Sequence, residues 1–138
     1  MKINWNLDLK LSLLGLFMAL GTVFFIPFKI EPFCWLIIFC IIAYFVAKNC
    51  EAYYFQNGVV IGLLNSVWVT AAHVLFFGAY TENHIQETMS MSKFPLNPKL
   101  MMLITGPIIG LISGLVIGLF CYIASLILKK PANKAVNS

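Results

Sequence analysis

Residues 100–128 read LMMLITGPIIGLISGLVIGLFCYIASLIL, twenty-nine residues without a charge between Lys99 and Lys129. A helix needs about 20 largely apolar residues to cross the hydrocarbon core. Backbone groups in lipid have to be satisfied within the segment, so the run is helical. Inside it Gly106, Gly110, Gly114 and Gly118 recur at every fourth position. Glycine in a helix costs about 1 kcal/mol against alanine in water. In lipid the hydrophobic effect does not draw helices together, and small residues four apart form a groove that admits a second backbone.

The rest of the chain is segregated in the same way. Uncharged runs lie between Lys10 and Lys29, Glu31 and Lys48, and Glu51 and Glu82. Only 10% of the 138 residues are charged and 61% are hydrophobic, against about 25% charged in soluble domains. The sequence predicts an all-α polytopic membrane protein, one integral membrane domain over 1–138. Its spans are 9–28, 32–49, 58–80 and 100–128, with a loop at 81–99 and a tail at 129–138. Helices three and four form a glycine-packed hairpin in this four-helix bundle. The second run is the shortest and spans only if Lys48 snorkels to the interface; a re-entrant segment is the alternative. The N-terminal run is longer than a signal-peptide core, follows Asp8 and precedes no clear small-x-small site, so it reads as a retained first helix.

All nine basic residues are lysines. Four spans put Lys2, Lys10, Lys48, Lys129, Lys130 and Lys134 on one side, against Lys29, Lys93 and Lys99 on the other. The positive-inside bias therefore places both termini in the cytoplasm, in an inner or plasma membrane. The net charge of +4 is largely this topogenic lysine, and no arginine cluster or basic aromatic face points to nucleic acid. Cys34, Cys40, Cys50 and Cys121 contain no C-x-x-C and read as small apolar residues rather than a disulfide framework.

Helix three answers the glycines with Gly58, Gly62, Ser66 and Thr70. At a common rise of about 1.5 Å per residue, Thr70 falls near Gly110, Ser66 near Gly114 and Gly62 near Gly118. A contact between helices three and four follows; the other placement puts the glycine face against a second copy. The same helix carries Asn65, Ser66, Thr70 and His73 within a narrow arc, with Thr105 near their depth across the hairpin. An ionisable group within a span usually faces the bundle interior or a cavity. His73 thus either hydrogen-bonds across helices or lines a small polar pocket.

The loop holds Glu82, His84 and Glu87, then Met89 and Met91. A single imidazole with no partner at ligand spacing reads as solvated loop, with no metal implied. Ile85 and Met89 share a face of a short surface helix. No nucleophile–base pair, H-E-x-x-H or nucleotide motif occurs, so neither catalysis nor a cofactor is expected. The leading reading is a non-enzymatic helix-packing or accessory subunit of a membrane assembly. The alternative is a small oligomeric channel or transporter with a polar path at Asn65, Ser66, Thr70 and His73. The implied partners are the lipid bilayer and either further copies of the chain or a larger complex.

Overall fold

The computed structural model describes residues 3–128. The tail at 129–138, with Lys129, Lys130 and Lys134, and Lys2 lie outside the described residues. The elements are α1 (Trp5–Phe24), α2 (Glu31–Asn49), α3 (Tyr54–Leu75), α4 (Phe77–Asn83), α5 (Ile85–Met91) and α6 (Pro98–Leu128). Four of them, α1, α2, α3 and α6, are long and apolar enough to cross a membrane. The chain is a small multi-span helical membrane protein, all-α over its described length.

Capping residues set where these helices begin. Asn4 caps α1 by accepting from the Leu7 amide at 3.3 Å, which satisfies one of the donors that a helix start leaves open. The Asn4 amide in turn donates to Asn57 Oδ1 at 2.9 Å, and Asn57 Nδ2 donates to the Tyr53 carbonyl at 2.7 Å. Tyr53 holds a left-handed backbone, φ 57. The fully buried Asn57 therefore ties the start of α1 to the turn that starts α3. Pro32 sits in the first turn of α2, where a missing amide hydrogen costs nothing.

Both ends of α1 and of α3 differ from the spans 9–28 and 58–80 read from the sequence. Helix α1 begins at Trp5, which places Asp8 inside it, fully buried. Helix α3 ends at Leu75 rather than Tyr80, with a break at Phe76 before α4. An unbroken apolar run hides such a break, because periodicity does not report a change of axis. The short surface helix around Ile85 and Met89 is present as α5.

Helix α3 is central. It packs most extensively on α6, then on α1, while α2 lies mainly against α6. Contacts from Asn4–Asn57 through Ser12–Trp68 to Thr22–His73 show that α1 and α3 run parallel. At the end holding the N-terminus, Ile42, Val46, Ile61, Ile117 and Cys121 bring α2, α3 and α6 together with no exposed surface. At the other end Val23, Tyr80 and Met102 form a smaller cluster. Between the two, α2 departs from the bundle: its buried residues, Ile42, Ala43, Val46 and Ala47, all lie in its C-terminal half.

Candidate functional site

The departure of α2 opens a cleft of about 610 Å³ between its N-terminal half and the α3–α6 pair. One wall is apolar, with Trp35 and Phe39 from α2 opposite Val116 and Phe120 from α6. The facing wall carries Asn65, Ser66, Thr70 and His73 from α3, and Thr105 and Ser113 from α6. Five residues singled out in the sequence therefore meet in one space: Asn65, Ser66, Thr70, His73 and Thr105.

The hydroxyls of that wall are largely turned onto their own helices. Ser66 Oγ donates to the Leu63 carbonyl at 2.8 Å, Thr105 Oγ1 to Met101 at 2.9 Å, and Ser113 Oγ to Gly110 at 3.2 Å. Such bonds use the hydroxyl hydrogen and leave oxygen lone pairs for anything entering the cleft. Asn65 is different. It is 3% exposed, lies over Gly15 of α1, and neither its oxygen nor its nitrogen has a hydrogen-bond partner. Buried amides are normally paired, so an orphaned one invites a water or a ligand.

His73 Nε2 lies 3.3 Å from Thr22 Oγ1. Thr22 already donates its hydrogen to the Ala19 carbonyl at 2.9 Å, which assigns the donor role to Nε2 and leaves Nδ1 as acceptor. The His73 ring meets Tyr80 at 4.4 Å between centroids, and Tyr80 stacks on His84 at 4.5 Å with the planes 5° apart. His84, 2% exposed, faces Glu31 Oε2 at 3.9 Å. Glu31 Oε1 accepts from Trp35 Nε1 at 3.2 Å. A column of side chains thus runs from α1 through His73 to the mouth of the cleft, where Glu31 and Glu87 both line it. Tyr80, past the end of α3, has its phenol pushed up to about 12 by burial, with the charges of Glu87 and Glu31 adding to the shift.

The small residues chosen from the sequence face each other in another register. A Cβ on Gly58 would stand 2.6 Å from the Gly118 Cα, and one on Gly62 would stand 2.6 Å from the Gly114 nitrogen. Gly110 faces Ser66 and Gly106 faces Thr70. The sequence count ran four residues off, because it carried α3 straight through to Tyr80.

Sequence reasoning missed Asp8, Thr22, Trp35, Tyr80 and the buried place of His84. The signal for the first two was legible: Asp8, Ser12, Gly15, Ala19 and Thr22 follow helical spacing and are all buried. Among the described residues no three of His, Cys, Asp and Glu converge as a metal site would require. Cys34, Cys40, Cys50 and Cys121 form no disulfide among the described residues. No family model, no curated protein and no solved structure matches the chain.

Proposed function

We propose that this chain is a non-enzymatic membrane protein that works by association within the bilayer, and that the cleft is where it receives a small amphipathic molecule. The observation that carries this reading is Asn65, buried and without a partner beside a mostly apolar space that holds a few polar groups. Ligand sites of about 300–1,000 Å³ commonly pair apolar walls with a few polar groups that fix orientation. The frame of the site is a hairpin of α3 and α6 held through its glycine rows. Gly58 and Gly62 abut the backbone at Gly118 and Gly114, which supports the contact within one chain over one between copies. The surface this leaves for association is the bulky face of α2. Phe33, Ile37 and Phe45 are exposed there, suited to lipid or to a neighbouring helix. Both termini lie in the cytoplasm, and the mouth of the cleft opens in the outer half of the membrane, on the strength of the lysine distribution.

A channel or transporter is the second reading, favoured because Asn65, Ser66, Thr70 and His73 line one space. The closed cluster of Ile42, Val46, Ile61 and Ile117 beyond Asn65 weighs against a continuous path through one copy.

Native mass spectrometry of the protein released from nanodiscs tests the first reading. Decyl glucoside offered in the disc should remain bound at one molecule per chain. Ser113→Phe, which fills the cleft, should lose it while remaining folded by circular dichroism. Retention independent of Ser113→Phe, or no retention of any amphiphile, would overturn the reading.

A further inference from the structure

The lining of the cleft has a chemical bias beyond its mixture of polar and apolar walls. Its two charged residues are Glu31 and Glu87, and no lysine lines it. The hydroxyls of Ser66, Thr105 and Ser113 have spent their hydrogens on carbonyls of their own helices. What they present inward is oxygen. Within a mostly apolar lining the polar groups are chiefly acceptors, carboxylates and hydroxyl oxygens, and the Tyr80 phenol is the chief donor because the His73 N–H is committed to Thr22. Such a surface suits a molecule that donates hydrogen bonds and carries positive charge.

The two carboxylates are not equally engaged. Glu31 holds Trp35 and faces His84, whereas Glu87, half-buried on α5, forms no ion pair among the described residues. Phe28 and Trp35 stand with them in the lining, and aromatic faces attract ammonium groups. Depth fits as well. Asn65 lies eight residues from His73 on α3, about 12 Å at helical rise, so the apolar wall has room for a chain beneath the mouth.

We propose that the cleft binds a primary alkylammonium amphiphile, its ammonium held at the mouth between Glu31 and Glu87 and its chain lying along Trp35, Phe39, Val116 and Phe120. This names the ligand class of the site proposed above and rests on that reading. The three lysines at this end, Lys29, Lys93 and Lys99, are exposed and outside the lining, so they do not neutralise the pair inside the cleft.

The test compares decylammonium, decyl glucoside and decanoate on the protein in nanodiscs of zwitterionic lipid, read by native mass spectrometry. Decylammonium should be retained about tenfold more tightly than decyl glucoside, a difference of roughly 1.4 kcal/mol, with decanoate weakest. Glu87→Gln should reduce the preference several-fold and Glu31→Gln/Glu87→Gln should abolish it. Glu87→Gln alone decides the matter should the double variant fail to fold, because Glu87 lies outside the spanning helices. Equal binding of decylammonium and decyl glucoside, both lost in Ser113→Phe, would keep the site and overturn the charge assignment. A preference that survives Glu87→Gln undiminished overturns it too. Absence of all binding would remove both this inference and the reading beneath it.

Discussion

Replacing Gly62 by alanine puts the glycine rows to a quantitative test. A Cβ at Gly62 would press on the Gly114 Cα, stand 2.6 Å from its nitrogen and 3.4 Å from the Gly110 oxygen. The obstacle is backbone, so no side chain can turn aside. Heavy-atom contacts normally settle at about 3.5–4.0 Å, so the helices have to part by about 1 Å. A gap of that size forfeits roughly a quarter to a half of each pair's attraction of about 0.1–0.2 kcal/mol. Over roughly 40 atom pairs, the number one buried leucine makes, the loss is about 1–4 kcal/mol. Alanine's better helix propensity returns about 1 kcal/mol, which leaves a net cost of up to about 3 kcal/mol, in line with overpacked cores. Gly78→Ala is the internal control. Nothing lies within 4 Å of a Cβ there, so only the propensity gain acts, stabilising by about 0.5 kcal/mol. Circular dichroism during titration of dodecyl sulfate into mild micelles gives both values on one scale. Gly62→Ala unfolding at or above the midpoint of Gly78→Ala would refute the argument.

Three further outcomes follow from the same geometry. Thr22→Val removes the acceptor of His73 without changing shape, and should cost about 0.6 kcal/mol and at most about 1.7 in the same titration; no change would mean the 3.3 Å contact carries nothing. Asp8→Asn should leave the protein at least as stable, and up to about 2 kcal/mol more so, because a buried carboxylate with no hydrogen-bond partner is replaced by a neutral group. A loss above about 1 kcal/mol would reveal a partner that Asp8 holds in the membrane. In a background stripped of its native cysteines, Ser92→Cys should react with an impermeant maleimide applied to intact cells, and Asn49→Cys only after lysis. The reverse pattern would invert the orientation inferred from the lysines.

Much of this fold was legible because the bilayer restricts what a chain can do. Four runs free of charge had to be helices, and the small residues on α3 and α6 had to fall on faces. What stayed hidden was offset and axis. The break at Phe76 lies among Leu75, Phe76 and Phe77, whose apolar character is the same on either side, and missing it moved the register by four residues. Asp8 was read as flanking a span because charge usually marks a boundary. Its burial depends on α1 packing parallel to α3, a contact between distant segments. The polar candidates were found because each is conspicuous against an apolar run. Their facing wall was not, since Trp35 and Phe39 look like any lipid-facing residues until the course of α2 is known.

That course has a physical cause in the side chains. Toward its C-terminus α2 presents Ala43, Val46 and Ala47 to the bundle, and all are buried. Toward its N-terminus the same face offers Trp35 and Phe39, whose tilted rings meet at 5.9 Å between centroids, and Phe39 meets Phe120 edge-to-face at 6.3 Å. Small residues let α2 close on α6 at one end, and bulky rings hold it off at the other. Across from those rings the backbones of α3 and α6 approach closely at Gly62 and Gly114. The cleft is therefore a consequence of mismatched bulk, closed where Ala43 and Val46 pack with Ile117 and Cys121 and open where aromatics stand. Trp35→Ala/Phe39→Ala should let α2 close on the hairpin or fill the space with lipid chains. In either case the cleft's own ligand should be lost although no polar group has been touched. Retention of decylammonium by that variant, at the affinity of the unchanged chain, would show that the apolar wall takes no part in binding.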